Sequence, residues 1–129
     1  MKKQIVSTSN APAAIGPYSQ GVKIGNLIFT SGQLPINLQS GELVADIEGA
    51  TKQSLDNVKA ILESAGSTMD KIIKTVVFLR DMNDFTAMNA VYATYFPGNP
   101  PARSAVQVAR LPKDAIIEIE AIAVSDDTV

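Results

Sequence analysis

Neither cysteine nor histidine occurs anywhere in the chain. Their absence removes the Ser-His-Asp triad, the thiolate nucleophile and the ordinary zinc site together, so no metal is expected. Chemistry is left to carboxylates, lysine, arginine, tyrosine, hydroxyls and backbone. A core must also form without disulfides, which a single domain over residues 1–129 is long enough to do. No apolar run approaches the ~20 residues that span a bilayer. "MKKQIVSTSN" lacks the apolar stretch of ~7 to 15 residues that a secretory signal requires, so a soluble, cytoplasmic protein with no membrane partner is expected. A basic excess is missing too. Eleven Lys and Arg stand against thirteen Asp and Glu, the wrong sign for holding a polyanionic backbone by counterion release, and no nucleic-acid partner is expected.

What is present is strongly patterned. "YSQGVKIGNLIFTSGQLPIN" reads as two strands about Gly25 and Asn26, a pair suited to a two-residue hairpin turn. From Asp46 the apolar residues Ile47, Ala50, Leu55, Val58, Ile61, Leu62 and Ala65 recur at helical spacing, and Gly66 stands where a C-terminal cap belongs. Ser67 and Asp70 have capping-box spacing, but the β-branched "KIIKTVVFLR" after them predicts a turn and then a strand. Asn83 or Asp84 can cap a second helix with the stripe Phe85, Met88, Tyr92, Tyr95 and Phe96, which "PGNPP" terminates. Two strands, about 102–109 and 115–124, follow around "RLPKD", and a polar tail from Ser125 is expected to fray.

The order strand, strand, helix, strand, helix, strand, strand predicts an α+β fold: one sheet with two helices packed on one face. In "IIKTVVFL" and "AIAV", however, both alternation phases are apolar. Such strands are buried on both faces, and two helices cover only one. A symmetric oligomer is the simplest cover for the other, and pockets lined from two subunits would then be natural.

Several residues carry candidate chemistry. In "NPPARSAVQVARLP", Arg103 is either a structural ion-pair partner or a planar fork for a carboxylate, with Pro100 and Pro101 holding its approach extended and small Ala102, Ser104 and Ala105 leaving space around it. Glu118 and Glu120 share one face of the last strand. They are two solvated carboxylates or, if buried, a pair in which one has a raised pKa or a basic partner, with Arg103 on the adjoining strand as candidate. Gly32 interrupts a strand beside Ser31, as at a bulge or a close backbone approach, and a bulge frees an N–H for a ligand. Tyr18 packs on a ligand or on the core. Asn89 interrupts the apolar stripe of the second helix, so it is buried and hydrogen-bonded or reaches the edge of a site.

Together, "APAAIGPYSQG", "TSGQLPIN", "QSLDNVKAILESAGS", "KTVVFLRDMNDF" and "PARSAVQVARLPKDAIIEIEAIAV" closely resemble the RidA/YjgF family of small imine deaminases, from about Ser9 to Val124. The resemblance implies a chorismate-mutase-like α+β fold with one mixed sheet, and a homotrimer with a central barrel and three active sites at the subunit clefts. It implies hydrolysis of 2-imino acids, or their enamine tautomers, to 2-oxo acids and ammonia without a cofactor. The imines arise from pyridoxal-phosphate dehydratases acting on serine or threonine. By motif, Arg103 would bind the substrate carboxylate and Glu118 would orient and activate the water. Tyr18 would line the pocket beside Ser31, the Gly32 N–H would place substrate or water, and Asn89 would lie at the rim. Ala105 stands where the best-known members often carry cysteine; its backbone would still contact substrate. Glu120 receives no catalytic role.

This residue set suits the chemistry. A protonated imine is already electrophilic, so a carboxylate anchor, a placed water and a carboxylate to steer protons suffice. Two other readings use the same residues: a regulatory module that binds a 2-oxo acid or similar carboxylate, and an endoribonuclease or translation inhibitor, against which the acidic balance and absent histidine argue.

Overall fold

Alternation and turn chemistry build the first half of the sheet. The computed structural model describes residues 1–125. A short edge strand, β1 (Gln4–Val6), pairs antiparallel with β2 (Gly21–Ile24), which turns back through Gly25 and Asn26 into β3 (Leu27–Thr30). Gly25 has φ +57°, the left-handed first position that a II′-type hairpin turn reserves for glycine. β1 adds a sixth strand to the five expected, because three residues are too few to display a period.

Helix α1 (Ile47–Ser64) begins where the Asp46 carboxylate accepts the Gly49 N–H at 2.8 Å, a cap that contributes about 1 kcal/mol. Its end is a Schellman motif: Gly66, at φ +84°, donates to the Glu63 carbonyl and Ser67 donates to that of Leu62. Between these ends Ala50, Leu55, Val58, Ile61 and Leu62 are buried.

Strand β4 (Ile72–Leu79) leads through a turn at Met82–Asp84 into α2 (Phe85–Thr94). Asp84 holds the N-cap position of α2, one of the two expected, without a side-chain cap bond; that bond is made one turn earlier by Asp81, which accepts from the Asn83 N–H at 2.9 Å, because the 3₁₀ turn runs straight into the helix. After α2 come β5 (Ala102–Gln107) and β6 (Ile117–Val124).

The six strands lie in the order β1-β2-β3-β6-β4-β5, with β4 and β5 parallel and the other pairs antiparallel. The sheet is therefore mixed, and with two helices the fold is α+β. One expectation is corrected: β5 and β6 do not adjoin, because β4 lies between them. The "RLPKD" segment crosses the end of β4, where the Val108 N–H donates to Leu79 and the Arg80 N–H donates to Ile116. β6, buried along Ile117, Ile119, Ala121 and Ala123 and partly buried along its other phase, takes a central slot and leaves β5 on the edge.

Both helices cover one sheet face, packing Leu55, Val58, Leu62, Met88 and Tyr92 on Val77, Leu79, Ile117, Ile119 and Ala121. The other face carries Val22, Phe29, Leu27, Val76, Phe78, Ile122 and Val124 with Glu118 and Glu120, and its apolar residues are partly exposed. Ser125 does not begin a frayed tail: it is 1% exposed, and its N–H donates to the Asn26 carbonyl at 2.9 Å. The rest of that expected tail lies outside the described residues. Among the described residues, no helix is long and apolar enough to cross a membrane.

Candidate active site

A bulge at the end of β3 builds the first part of the site. Phe29 pairs with Ile122, but Gln33 pairs with Ile119, so four steps along one strand match three along the other. The extra residue falls at Ser31 and Gly32. Hydrogen bonds fix the detour: the Ala121 N–H donates to Thr30 Oγ1 at 3.1 Å, the Ser31 N–H to the Gln20 carbonyl at 2.8 Å, and the Ser31 hydroxyl to the Ser19 carbonyl. Gln33 and Ile119 then exchange backbone bonds of 2.8 and 3.2 Å.

Gly32 is required by what lies over it. A Cβ there would come within 2.7 Å of Glu118 Cδ and strike the carboxylate itself. The Gly32 N–H bonds to no acceptor among the described residues. Glu118 is half-buried, and burial, followed by the charge of Glu120, pushes its carboxyl above the usual glutamate range. Because the far end of a flexible side chain can move aside, Gly32→Ala is expected to fold normally but to displace this carboxylate. Imine turnover should fall roughly tenfold with an unchanged melting temperature. A calorimetric scan beside steady-state rates checks both halves of that expectation.

The cavity over Glu118 measures about 410 Å³ and is lined by Tyr18, Ser31, Gly32 and Lys113, with Pro12, Ile15, Leu34 and Ile36 as its apolar wall. Buried Gln20 holds the loop that carries Tyr18. Its Oε1 accepts the Thr8 N–H at 2.7 Å, and its Nε2 donates to the carbonyls of Thr8, Ala11 and Pro12. On the other side Lys113 and Asp114 adopt left-handed backbone, φ 58° and 55°, which costs about 1–3 kcal/mol at each non-glycine position. Arg80 donating to the Asp114 carbonyl at 2.9 Å, and Arg110 gripping the Asp114 carboxylate at 2.8 and 3.3 Å, hold that turn.

Arg103 lies elsewhere. On β5 it is in register with buried Thr75 and faces the helices, whereas Glu118 is in register with Phe78 on the opposite face. Its Nη1 donates to Asn89 Oδ1 at 2.7 Å, and its guanidinium carbon lies 4.7 Å from the Tyr92 ring centroid and 5.4 Å from that of Phe85. Phe85, Asn89 and Tyr92 fall at i, i+4 and i+7, one stripe of α2. Among the described residues, no carboxylate forms an ion pair with Arg103. Asn89, Tyr92, Phe96, Pro100, Pro101 and Arg103 line a second hollow of about 400 Å³. Ala105, two residues on, shares the Arg103 face of the strand.

The seven candidate residues thus form two groups on one chain: Tyr18, Ser31, Gly32 and Glu118 around the first cavity, and Asn89, Arg103 and Ala105 at the β5 edge. Within one chain Arg103 is not the basic neighbour of Glu118 or Glu120, since β4 lies between their strands and the side chains leave opposite faces of the sheet. Asn89 is exposed rather than buried; it lines the second hollow and its Oδ1 accepts from Arg103. Gln20 and Lys113 were missed. A polar residue amid "GPYSQG" before a strand was the only local signal for Gln20, and positive φ at lysine leaves no signal at all.

A family model described as endoribonuclease L-PSP matches residues 8–125. The 2-iminobutanoate/2-iminopropanoate deaminase of Escherichia coli strain K12 is 58% identical over 122 residues, 92% of this chain and 95% of that protein. Among solved structures, the YjgF gene product of E. coli matches with a TM-score of 0.91 at 57% identity, covering 94% of this chain and 98% of that one. E. coli TdcF with bound serine matches at a TM-score of 0.92 and 52% identity, over 95% and 99% of the two chains.

Proposed function

This chain belongs to the RidA/YjgF family, and we propose that it is a cofactor-independent, cytoplasmic deaminase that hydrolyses 2-imino acids to 2-oxo acids and ammonia. The observation that carries this reading is the Arg103 fork, steadied by two rings and an amide yet paired with no carboxylate among the described residues. A fork of that kind grips a carboxylate bidentately.

In the proposed reaction, Arg103 anchors the carboxylate of the protonated imine. Ionised Glu118 takes a proton from a water as the water oxygen bonds to the imine carbon, forming a carbinolamine. The proton then passes from Glu118 to the nitrogen, the C–N bond breaks and ammonia leaves; Glu118 takes the remaining hydroxyl proton, which departs with the ammonia as ammonium, and the oxygen becomes the new carbonyl. The Gly32 N–H holds substrate or water, Tyr18 and Ser31 close the pocket, Asn89 steadies Arg103 at the rim, and the Ala105 backbone contacts substrate. Positioning supplies most of the rate, because the protonated imine needs no further activation.

Arg103 and Glu118 stand on opposite faces of one sheet, so the site is completed by a second copy. A chain with two different complementary patches associates head to tail, and a closed ring needs no symmetry at either patch. We assign a homotrimer in which the open apolar faces meet in a central barrel, each cleft taking Arg103 from one subunit and Glu118 from the next.

The direct test generates 2-iminobutanoate in place with an amino acid oxidase and times its loss by semicarbazide trapping. The serine bound to TdcF favours a second reading, a module that holds a small carboxylate without turning it over; absence of rate enhancement would select it. The composite site has its own test. Arg103→Ala and Glu118→Gln chains, each strongly impaired alone, should regain roughly a quarter of wild-type activity when unfolded together and reassembled one to one, because random mixing completes about that share of clefts. Sites built within one chain would regain nothing.

A further inference from the structure

We propose that Tyr92 is a positioning residue for Arg103: its ring holds the guanidinium by the face so that the edge stays free to take the substrate carboxylate. The inference rests on the reading of Arg103 as that anchor. Hydrogen bonds leave a guanidinium through its edge, whereas an aromatic ring engages its face, so the two do not compete. At 4.7 Å from the ring centroid the Arg103 carbon lies well inside the ~6 Å range of the cation–π attraction, and closer than it lies to Phe85.

The ring is itself immobilised. Tyr92 is 5% exposed, its hydroxyl and Thr75 Oγ1 are 2.6 Å apart, and its ring centroid is 4.8 Å from that of Phe96. Thr75 is 1% exposed and stands opposite Arg103 in the parallel β4–β5 register, so one strand pair carries both the arginine and the hydroxyl that locks its platform. A tyrosine filling the core would need only a partner for its hydroxyl. Here the same residue also lines the hollow that Arg103 lines. With no carboxylate paired to Arg103 among the described residues, the ring face and Asn89 Oδ1 are what steady its charge before substrate arrives.

A platform that acts equally on bound substrate and transition state changes KM more than kcat. Three variants separate the ring from the fold. Tyr92→Phe keeps the ring and loses the Thr75 bond, and is expected to stay within about twofold of wild type in KM. Tyr92→Leu removes the ring, and should raise KM for 2-iminobutanoate and the Kd of 2-oxobutanoate roughly fivefold while kcat changes less. Tyr92→3,4,5-trifluorophenylalanine keeps the shape and drains the ring face, so its KM should exceed that of Tyr92→Phe even if Tyr92→Leu does not fold. Equal KM for the phenylalanine and trifluorophenylalanine variants would overturn the proposal, as would a KM for Tyr92→Phe as high as that of Tyr92→Leu. Arg103→Ala, assayed beside them, keeps the two levels apart. If it raises KM and the ring variants do not, only the role of Tyr92 is lost; if it leaves KM unchanged, the anchor falls and Tyr92 with it.

Discussion

Glu118→Gln is expected to lower imine turnover by roughly a hundredfold or more, the scale of a lost general base. Binding of 2-oxobutanoate should be little changed, since the amide keeps the shape and Arg103 still takes the carboxylate. Stability should move the other way. Burial and the Glu120 charge raise the Glu118 carboxyl above its usual range, so the folded chain binds that proton more tightly than the unfolded chain does. The resulting stabilisation is present at low pH and is lost as pH rises through the raised folded value. At neutral pH the ionised, half-buried carboxylate therefore destabilises the fold, and Glu118→Gln should melt higher than wild type. The gap should close as pH falls below the ordinary glutamate range. In wild type, kcat/KM should fall on acidification along a limb lying above that range, and the limb should be missing from the variant's residual activity. Glu120→Gln, altering a residue in register with Val76 and outside the cavity lining, should leave turnover near wild type. A variant with full turnover would remove Glu118 from the role of base, and one that melts lower at neutral pH would mean that the folded chain does not raise its carboxyl.

What was legible in the sequence depends on how far each determinant reaches along the chain. The Gly25–Asn26 hairpin, the onset of α1 after Asp46 and the Gly66 terminator are set by residues within a few positions of one another, and each lies where its spacing predicts. The bulge at Gly32 was also readable, because a glycine inside an alternating strand has few other physical meanings. That Glu118 lies over that glycine was not, since it depends on 85 intervening residues of chain path. Strand order has the same character. "RLPKD" resembles a tight connection between neighbours, yet β6 pairs with β3 and β4 at the centre of the sheet and leaves Arg103 at the edge. Composition did signal the consequence: both phases of "IIKTVVFL" and "AIAV" are apolar, and in the folded chain only one face is covered. Gln20 lies at the far limit, a side chain whose three carbonyl partners converge only once the loop before it has closed.

Arg103→Lys is expected to be nearly as damaging as Arg103→Ala, although it keeps the charge. A charge-assisted hydrogen bond contributes about 1.5–3 kcal/mol, or on the order of tenfold to a hundredfold in affinity, and the guanidinium offers two in parallel. Lysine offers a point charge on a flexible stem. It also forfeits the platform: an ammonium has no planar face to lie along the Tyr92 ring, and nothing of the geometry by which Nη1 meets Asn89 at 2.7 Å constrains its direction. A carboxylate held at one point can swing, and the imine carbon then no longer faces the water beside Glu118. Turnover should therefore fall together with binding, beyond what weaker anchoring alone accounts for. The measurement is kcat, KM and the Kd of 2-oxobutanoate for both variants, with the mass of the assembly verified by light scattering. A lysine variant that keeps most of the wild-type rate would mean that charge alone serves. The placement of Arg103 against the Tyr92 ring would then be a feature of packing at the β5 edge, and the carboxylate clamp would have to be sought among the other cations of the cleft, of which Lys113 already lines the cavity wall.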